Sequence, residues 1–239
     1  ERVLRCSAEF QLSQLRSSGR ASVPESTSSS EGSLPMTTNT GKVFELARED
    51  GGGMGAQLRE IGTLGQREHW LLGTDEVELF PDRVLGRGSF GLVLAGLFCG
   101  MPVAVKLVLD RHDNAIARNL SALANELRIL RHLRHPNVVC IHGAVVDVER
   151  RRVGLVLEMV QGKTVAAIMG IGPRGGQPPD HCVRYQVCLG VCRAFLYLHS
   201  RHPPIVHGDL TSTNVLVEVS GRGAHPKLLD FGLARVLTR

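Results

Sequence analysis

The amino-acid sequence predicts an α+β fold of two lobes, in which an antiparallel five-stranded sheet with one helix is followed by a helical lobe. Three observations lead to this prediction. From Val77 onwards, β-forming residues alternate with glycine breaks, a pattern that is typical of short antiparallel strands. Two later segments carry apolar residues at helical spacing. Hydrophobic residues make up 43% of the 239 residues, which is enough for a substantial core.

The strands are predicted from runs of Val, Leu, Ile and Phe that are bounded by glycine. Three of them lie in and just before the stretch VLGRGSFGLVLAGLFCGMPVAVKLVL, and two more follow the first helical segment. Two short strands close the sequence. The predicted strands of the sheet span residues 80–87, 91–98, 102–108, 138–147 and 153–160, and the closing strands lie near 215–219 and 226–229.

Two helices are predicted from the spacing of their apolar residues. Residues 114–133, NAIARNLSALANELRILRHL, carry Leu and Ile at three-to-four spacing, and the His-Pro pair at 135–136 ends the pattern. Residues 180–200, DHCVRYQVCLGVCRAFLYLHS, begin with an Asp that caps helices and indicate a largely buried helix. A loop rich in Gly and Pro, at 170–179, connects the two halves.

The N-terminal part of the chain has a different composition. Residues 22–33 are half serine and residues 51–55 read GGGMG, so these segments bury too little apolar surface to offset their ordering entropy. We expect a disordered, low-complexity region there, with weak local helix near 42–50. The predicted boundaries are 1–76 for this region and 77–239 for the folded domain, with a sheet lobe at about 77–160 and a partial helical lobe at about 161–239.

The six cysteines form no CxxC pair, so neither a disulfide framework nor a zinc site is predicted. Cys188 and Cys192 lie four residues apart in an apolar helical pattern, where free cysteine behaves as a small buried hydrophobe. The sequence shows no signal peptide, and its longest weakly polar stretch, 91–105, is too short for a transmembrane segment. We therefore expect an intracellular, cytoplasmic location.

The charge is unevenly distributed along the chain. Residues 79–239 hold 20 Lys and Arg against 11 Asp and Glu, a net charge of +9, which favours phosphate-rich or acidic partners. Aromatic residues amount to only 4% of the chain, with no aromatic-rich pair of strands on which bases could stack. No nucleic-acid partner is expected.

Five short motifs follow one another along this basic part of the chain. VLGRGSFGLVLAG, residues 84–96, contains a GxGxxG pattern that also fits a dinucleotide fold or a plain turn. It is followed by VAVK at 103–106, by Glu126 in the first helix, by HGDLTSTN at 207–214 and by DFG at 230–232. Each motif alone is weak, but their order and spacing together are specific.

Residues 78–239 resemble a eukaryotic protein kinase domain. The stretches LGRGSFGLVLAG, GMPVAVK and ELRILRHLRHPNVV are similar to the tyrosine-kinase-like group, which includes Raf-like and mixed-lineage Ser/Thr kinases. The resemblance implies a two-lobe kinase fold that binds ATP and Mg²⁺ and phosphorylates a protein. The identity of the protein substrate and the oligomeric state are left open.

The resemblance also implies a role for each matching residue. Asp209 would orient the substrate hydroxyl and accept its proton, and Lys106, held by Glu126, would bind the α and β phosphates. The implied magnesium ligands are Asn214 and Asp230. The implied ATP-binding residues are Leu85, Gly86, Arg87, Gly88, Ser89, Phe90, Gly91, Val93, Ala104, Lys106, Leu157 as gatekeeper, Glu158 and Val160 through their backbone, and Leu216.

The sequence departs from the family pattern at three places. Gly208 replaces the usual arginine, which weakens the case for regulation by activation-loop phosphorylation. Thr211 stands where most Ser/Thr kinases place a lysine, so transition-state stabilisation should be weaker. The sequence also stops seven residues after Gly232, which is why an incomplete helical lobe is expected.

Two functions remain open from the sequence. The first is an ATP-dependent protein kinase that transfers the γ-phosphate of Mg-ATP to a serine or threonine hydroxyl. The alternative is an ATP-binding pseudokinase or regulatory fragment without phosphotransfer activity. The five family residues, from Lys106 to Asp230, favour the enzyme, and the departures Gly208 and Thr211 favour the alternative.

Overall fold

The computed structural model describes residues 54–88, 91–107, 113–149, 152–170, 179–221 and 223–237. Four sequence predictions lie wholly or largely outside these residues: the weak helix near 42–50, the loop at 170–179, and the site residues Ser89 and Phe90. The α+β fold itself is confirmed, because a mostly antiparallel sheet with packed helices forms one lobe, and a long helix with short paired strands forms the other.

The sheet lobe contains two helices and six strands. Its elements in chain order are α1 (Met54–Arg67), β1 (Leu71–Leu72), β2 (Val77–Gly88), β3 (Gly91–Phe98), β4 (Met101–Leu107), α2 (Asp113–Leu130), β5 (Ile141–Asp147) and β6 (Arg152–Glu158). The sheet order is β1-β5-β6-β4-β3-β2. All five predicted strands are present and pair antiparallel, and β1 adds a short parallel strand beside β5.

The second lobe begins where β6 ends. Its elements are β7 (Lys163–Thr164), α3 (Val165–Ile168), α4 (His181–His199), β8 (Ile205–Val206), β9 (Val215–Ser220), β10 (Gly223–Leu228) and β11 (Arg235–Val236). The hairpin β9–β10 forms a three-stranded sheet with β7, which pairs with β9. Strand β8 pairs with β11. Val138 forms a parallel bridge with Leu228, and the Val139 N–H donates to the Leu228 carbonyl, so β10 is attached directly to the segment that leads into β5.

Alternation along β4 and β6 determines which side chains reach the space between the lobes. Val103, Val105 and Leu107 pack on one face of the sheet with Leu94 and Val156. Successive strand residues point to opposite faces. Ala104 and Lys106 therefore lie on the other face, where Leu155 and Leu157 of β6 belong to the larger core cluster.

The sequence prediction that residues 1–76 lack structure is wrong over residues 54–72. Leu58, Ile61 and Leu64 of α1 are buried, as is Trp70, and all four belong to the same core cluster as Leu127 of α2. The Trp70 carbonyl accepts a hydrogen bond from the Ala144 N–H, which aligns β1 with β5. The helix therefore forms part of the core of the sheet lobe.

The composition of the region concealed this helix. Glycine-rich sequence precedes α1, and Gly62 and Gly65 lie inside it, which lowers its intrinsic helix propensity. A Cβ at Gly65 would lie 2.8 Å from Cζ3 of Trp70, so this glycine allows the indole to pack against the helix. Tertiary packing thus outweighs local propensity here.

The prediction of a largely buried second helix is also wrong. In α4, which Asp180 caps as predicted, Gly190, Ala194 and Leu198 are the buried residues, and they face β10 and β8. Cys188 and Cys192 are exposed, contrary to the interpretation of both as buried hydrophobes, and Leu196 is 72% exposed. The apolar residues surround the helix, but the described part of the chain packs against one side of it.

We expect α1 to contribute measurably to the stability of the domain. Ile61→Ala removes a fully buried side chain between α1 and the rest of the core, and such truncations cost about 2–5 kcal/mol. Chemical denaturation of the two proteins measures the difference in unfolding free energy. Glu60→Ala, one residue away on the exposed side of the same helix, should change it by less than about 0.5 kcal/mol. Equal stability of the two variants would contradict the packing role of α1.

Candidate active site

A cleft of about 630 Å³ lies between the two lobes. The sheet lobe contributes its glycine-rich hairpin, the cleft-facing residues of β4, and Glu126 of α2. The other lobe contributes Asp209, several residues between it and Leu216, and Asp230. The predicted site residues that line the cleft are Leu85, Gly86, Arg87, Gly91, Val93, Ala104, Lys106, Glu126, Leu157, Glu158, Val160, Asp209, Asn214, Leu216 and Asp230.

The predicted residue Gly88 ends β2 and pairs with Gly91 across the glycine-rich hairpin. The cleft also contains residues that the sequence did not single out. These are Val139, Met159, Gly162, Thr164, Thr213 and Leu229, together with Thr211, which the sequence marked only as a departure.

Lys106 lies at the centre of the charged part of the cleft. Its Nζ is 2.6 Å from Oε2 of Glu126 and 2.9 Å from Oδ1 of Asp230. Glu126 is only 1% exposed. A carboxylate buried to this degree is costly without a counter-charge. The ion pair therefore fixes α2 against β4, and the contact with Asp230 joins both to the second lobe.

The protonation states of Lys106 and Glu126 depend both on their burial and on the neighbouring charges. Burial alone would lower the pKa of Lys106, but the charges of Glu126 and Asp230 outweigh it, so the pKa of the ammonium is raised. Lys106 is therefore cationic throughout the physiological range. Burial raises the pKa of Glu126, and the Lys106 ammonium opposes that shift.

Asp209 and Asn214 form a second polar group opposite Lys106. The Asn214 amide nitrogen donates to the backbone carbonyl of Asp209 and to its Oδ2, both at 2.9 Å. Because the nitrogen faces Asp209, the amide oxygen is the atom of Asn214 that a cation would contact. The hydroxyls of Thr211 and Thr213 are 2.8 Å apart beside them. The side-chain cations that line the cleft, within the described residues, are Lys106 and Arg87.

The oxygen atoms of Asn214 and Asp230 are hard donors of the kind that Mg²⁺ prefers. Among the described residues, no cluster of three or more His, Cys, Asp or Glu side chains is arranged as a complete metal site. A Mg²⁺ ion at this place would therefore complete its coordination with water and phosphate oxygens, which is its usual behaviour beside nucleotides. The residues present fit such an ion.

The backbone explains the unusual Gly208. This residue has φ of 78°, and a Cβ built on it would lie 2.5 Å from the carbonyl oxygen of Leu233. A larger residue would be strained by the positive φ and would push Leu233 away. Glycine therefore allows the chain after Asp230 to approach the loop that carries Asp209.

Strand β6 ends in a second interlobe ion pair. The Glu158 carboxylate accepts hydrogen bonds from Lys227 Nζ at 2.7 and 2.9 Å and from the Cys140 N–H at 2.7 Å. Lys227 lies on β10, three residues before Asp230. The sequence analysis assigned only the backbone of Glu158, and nothing in the local sequence linked it to Lys227.

Comparison with known proteins identifies the family to which this cleft belongs. Residues 81–239 match the protein kinase domain. The chain belongs to the protein kinase family. The chain is 33% identical over 178 residues to the kinase and exchange factor for Rac A of Dictyostelium discoideum, an alignment that covers 74% of this chain and 12% of the relative. It is 32% identical over 169 residues to the serine/threonine-protein kinase VIK of Arabidopsis thaliana, covering 70% and 36% respectively.

A third relative supports the predicted Raf-like resemblance. The serine/threonine-protein kinase CTR1 of Arabidopsis thaliana is 34% identical over 153 residues, which is 64% of this chain and 18% of the relative. The kinase domain described here therefore corresponds to a minor part of the length of each of these relatives. None of the helices in the described residues combines the length and the apolar character needed to cross a bilayer.

His207 joins the loop that carries Asp209 to the segment around Asp230. Its ring is buried, its Nε2 is 2.8 Å from the Leu229 carbonyl, and its Nδ1 lies 3.3 Å from the Asp209 N–H that donates to it. The ring also contacts Phe231 edge-on, with 4.7 Å between centroids. This pattern requires the neutral imidazole with its proton on Nε2, because a protonated Nδ1 cannot accept.

We expect acid to destabilise the domain through this histidine. Burial lowers the pKa of His207 in the folded chain, and the hydrogen bond to Leu229 only partly opposes it. The unfolded chain therefore binds the proton more readily, so the unfolding free energy falls as the pH drops below about 6.5. Denaturation of the wild type and of His207→Phe between pH 5 and pH 8 measures the effect.

The His207→Phe variant should be less stable at pH 7 but should lose less stability on acidification. His132 and His135 also have lowered pKa values and provide the remaining slope in both proteins. An identical pH dependence in wild type and variant would show that His207 is not the responsible group.

Proposed function

We propose that this kinase domain binds Mg-ATP in the interlobe cleft and transfers the γ-phosphate to a serine or threonine hydroxyl of a protein. The observation that carries the proposal is the position of Lys106, held between Glu126 and Asp230 at hydrogen-bond distance in the same cleft as Asp209 and Asn214. A cation beside several oxygen donors in one cleft supports the binding of phosphate groups together with Mg²⁺. The acceptor preference rests on relatives that are named serine/threonine-protein kinases.

The apolar part of the cleft is suited to the adenine ring. Val93 and Ala104 line it from the sheet lobe, and Leu216 lines it from the other lobe, with Leu157 at the back. In our proposal the Glu158 carbonyl and the Val160 N–H bind the adenine edge. The Glu158 carboxylate is engaged by Lys227 and Cys140, and the Glu158 N–H donates to the Cys140 carbonyl. The proposal therefore uses only the carbonyl of Glu158.

The glycine-rich hairpin is proposed to cover the triphosphate. Glycines allow the backbone to approach phosphate oxygens without side chains in the way. The hairpin residues in this role are Leu85, Gly86, Arg87, Gly88, Ser89, Phe90 and Gly91. Lys106 binds the α and β phosphates as a cation that Glu126 orients.

Asp209 is proposed to act on the acceptor. Its carboxylate orients the hydroxyl and takes its proton while the hydroxyl oxygen attacks the γ-phosphorus and the bond to the β-phosphate oxygen breaks, leaving ADP. The Asn214 amide holds Oδ2 of Asp209 and so fixes the orientation of the carboxylate. Asn214 and Asp230 would hold Mg²⁺, which neutralises phosphate charge when it is bound.

We also propose an intracellular location for the kinase domain. All five cysteines within the described residues are free, and four of them are exposed. Exposed free thiols are typical of a reducing compartment, where ATP is also available.

Asp209→Asn tests the assignment of the acceptor site. The substitution removes the proton acceptor but keeps the shape, so phosphotransfer should fall by about 10² to 10⁴-fold while Mg-ATP binding stays within about twofold. Transfer of labelled γ-phosphate to a mixture of serine, threonine and tyrosine peptides measures the rate and the acceptor, and calorimetry measures binding. Asp82→Asn, an exposed aspartate on β2, is the matched control.

Unchanged transfer by Asp209→Asn would refute the role of Asp209. A wild-type chain that binds Mg-ATP but transfers no phosphate would support the alternative of an ATP-binding regulatory domain. Transfer to tyrosine peptides alone would refute the serine/threonine assignment.

Thr211→Lys tests whether the missing cation limits the rate. The new ammonium would lie beside Asp209 and would favour the developing charge on the phosphoryl group, so kcat should rise by roughly tenfold. This is less than the effect of about 10²–10³-fold of a single donor, because the threonine hydroxyl already offers a hydrogen bond. Ser212→Lys adds the same charge at a neighbouring position that does not line the cleft and should not raise kcat. An equal rise in both variants would show a non-specific charge effect.

A further inference from the structure

Asn125 is a polar residue of α2 that no sequence motif pointed to. It directly precedes Glu126, and its side-chain nitrogen donates to three backbone carbonyls of the segment that follows Asp230. The distances from Nδ2 are 2.8 Å to the oxygen of Ala234, 3.0 Å to that of Gly232 and 3.3 Å to that of Phe231. An amide NH₂ has two protons, so the two shorter contacts are the strong ones.

The orientation of this amide is determined by a neighbour on the same helix. Arg128 lies one turn further along α2, and its Nη2 is 2.8 Å from Oδ1 of Asn125. A guanidinium can only donate hydrogen bonds. The oxygen of Asn125 must therefore face Arg128, and the nitrogen must face the three carbonyls.

The segment held by Asn125 needs an external attachment. Asp230 has φ of 59°, a left-handed conformation that a residue with a side chain adopts at a cost. The chain then turns, with the Ala234 N–H donating to the Phe231 carbonyl. Carbonyls in such a turn lack the regular partners of a helix or strand, and the Asn125 amide supplies donors to two of the four residues that follow Asp230.

The contacts of Asn125 connect the two parts of the chain that carry the carboxylates bound to Lys106. Glu126 is adjacent to Asn125 on α2, and the segment that Asn125 holds begins at Asp230. The Glu126 carboxylate also interacts with the Phe231 backbone N–H. A rotation of α2 or a shift of residues 231–234 would break the Asn125 contacts and the Lys106 contacts together.

We propose that Asn125 is a positioning residue, which locks α2 to residues 231–234 and so keeps Glu126 and Asp230 on Lys106 at the same time. The proposal rests on the function given above, in which Lys106 binds phosphate. Asn125 itself does not border the cleft. Asn125 acts by keeping Lys106, Glu126 and Asp230 in contact with one another. Its loss separates these three side chains but removes none of them.

The test compares four substitutions in the full chain. Asn125→Ala removes the side-chain hydrogen bonds, and Asn125→Asp keeps the shape but replaces the donor with a charge that the three carbonyls repel. Asn137→Ala is the matched control, because the Asn137 amide also donates to a carbonyl, that of Pro226 at 2.8 Å, away from Lys106. Lys106→Met is made alone and together with Asn125→Ala.

Hydrogen–deuterium exchange of residues 229–236, measured without nucleotide, is the first readout. Loss of the anchoring bonds should accelerate exchange there by roughly tenfold in Asn125→Ala, as expected for about 1.4 kcal/mol, and by more in Asn125→Asp. Asn137→Ala should leave it unchanged. Exchange as slow in Asn125→Asp as in the wild type would show that the side chain only fills space, and this would overturn the proposal. If Asn125→Asp does not fold, Asn125→Leu takes its place as the donor-free variant of similar volume, with the same two outcomes.

The affinity for Mg-ATP is the second readout. Asn125→Ala should weaken binding by roughly tenfold in the wild type and should have no further effect once Lys106 is replaced by methionine. An equal loss in both backgrounds would show that Asn125 does not act through Lys106, and the proposal would fall. A wild-type chain that binds no Mg-ATP would refute the proposed function instead, and the exchange measurement alone would then decide the role of Asn125.

Discussion

Lys106 carries a charge into a place where little water can solvate it, and the arrangement of both lobes follows from how that charge is balanced. Glu126 is almost completely buried and would be unfavourable there without the ammonium 2.6 Å away. Asp230 completes the group from the second lobe. A strand, a helix and a loop that are distant in sequence therefore depend on one small cluster of charges.

Helix α2 carries Glu126, and two sets of contacts in its C-terminal half attach it to the rest of the molecule. Near its C-terminal end, Leu127 packs in the same cluster as α1, and the following Arg131 forms an ion pair with Glu68. Beside Glu126, Asn125 binds the turn after Asp230. The segment that begins at residue 54 is therefore structurally part of the kinase domain, although the family match begins at residue 81.

The second lobe is connected to the sheet lobe by short polar contacts around the chain that leads to Asp230. Lys227 binds Glu158 at the end of β6, and His207 forms a hydrogen bond with the Leu229 carbonyl. Gly208 removes the side chain that would keep Leu233 at a distance. These contacts surround Asp230 on both sides along the chain, so its position is overdetermined, which is what a left-handed residue at a charged site requires.

Local sequence was sufficient for the seven longer strands and the two long helices, because strand alternation and helical spacing are properties of neighbouring residues. The ordered motifs, through their resemblance to a family, named fifteen residues that the structure groups in the cleft. Local sequence was insufficient for α1, where glycines masked a helix that only its contacts with Trp70 and the core stabilise. It also could not show that α4 is exposed on one side, since apolar spacing does not reveal which side has neighbours.

The same limit applies to the polar contacts. Asn125 lies 106 to 109 residues from the carbonyls it binds, and Lys227 lies 69 residues from Glu158. The sequence by itself determined which residues are the candidates for the proposed chemistry, because their types and order are written in the chain. Only the tertiary structure decided which of them meet and what holds them there, because hydrogen bonds and ion pairs depend on distances that folding alone sets.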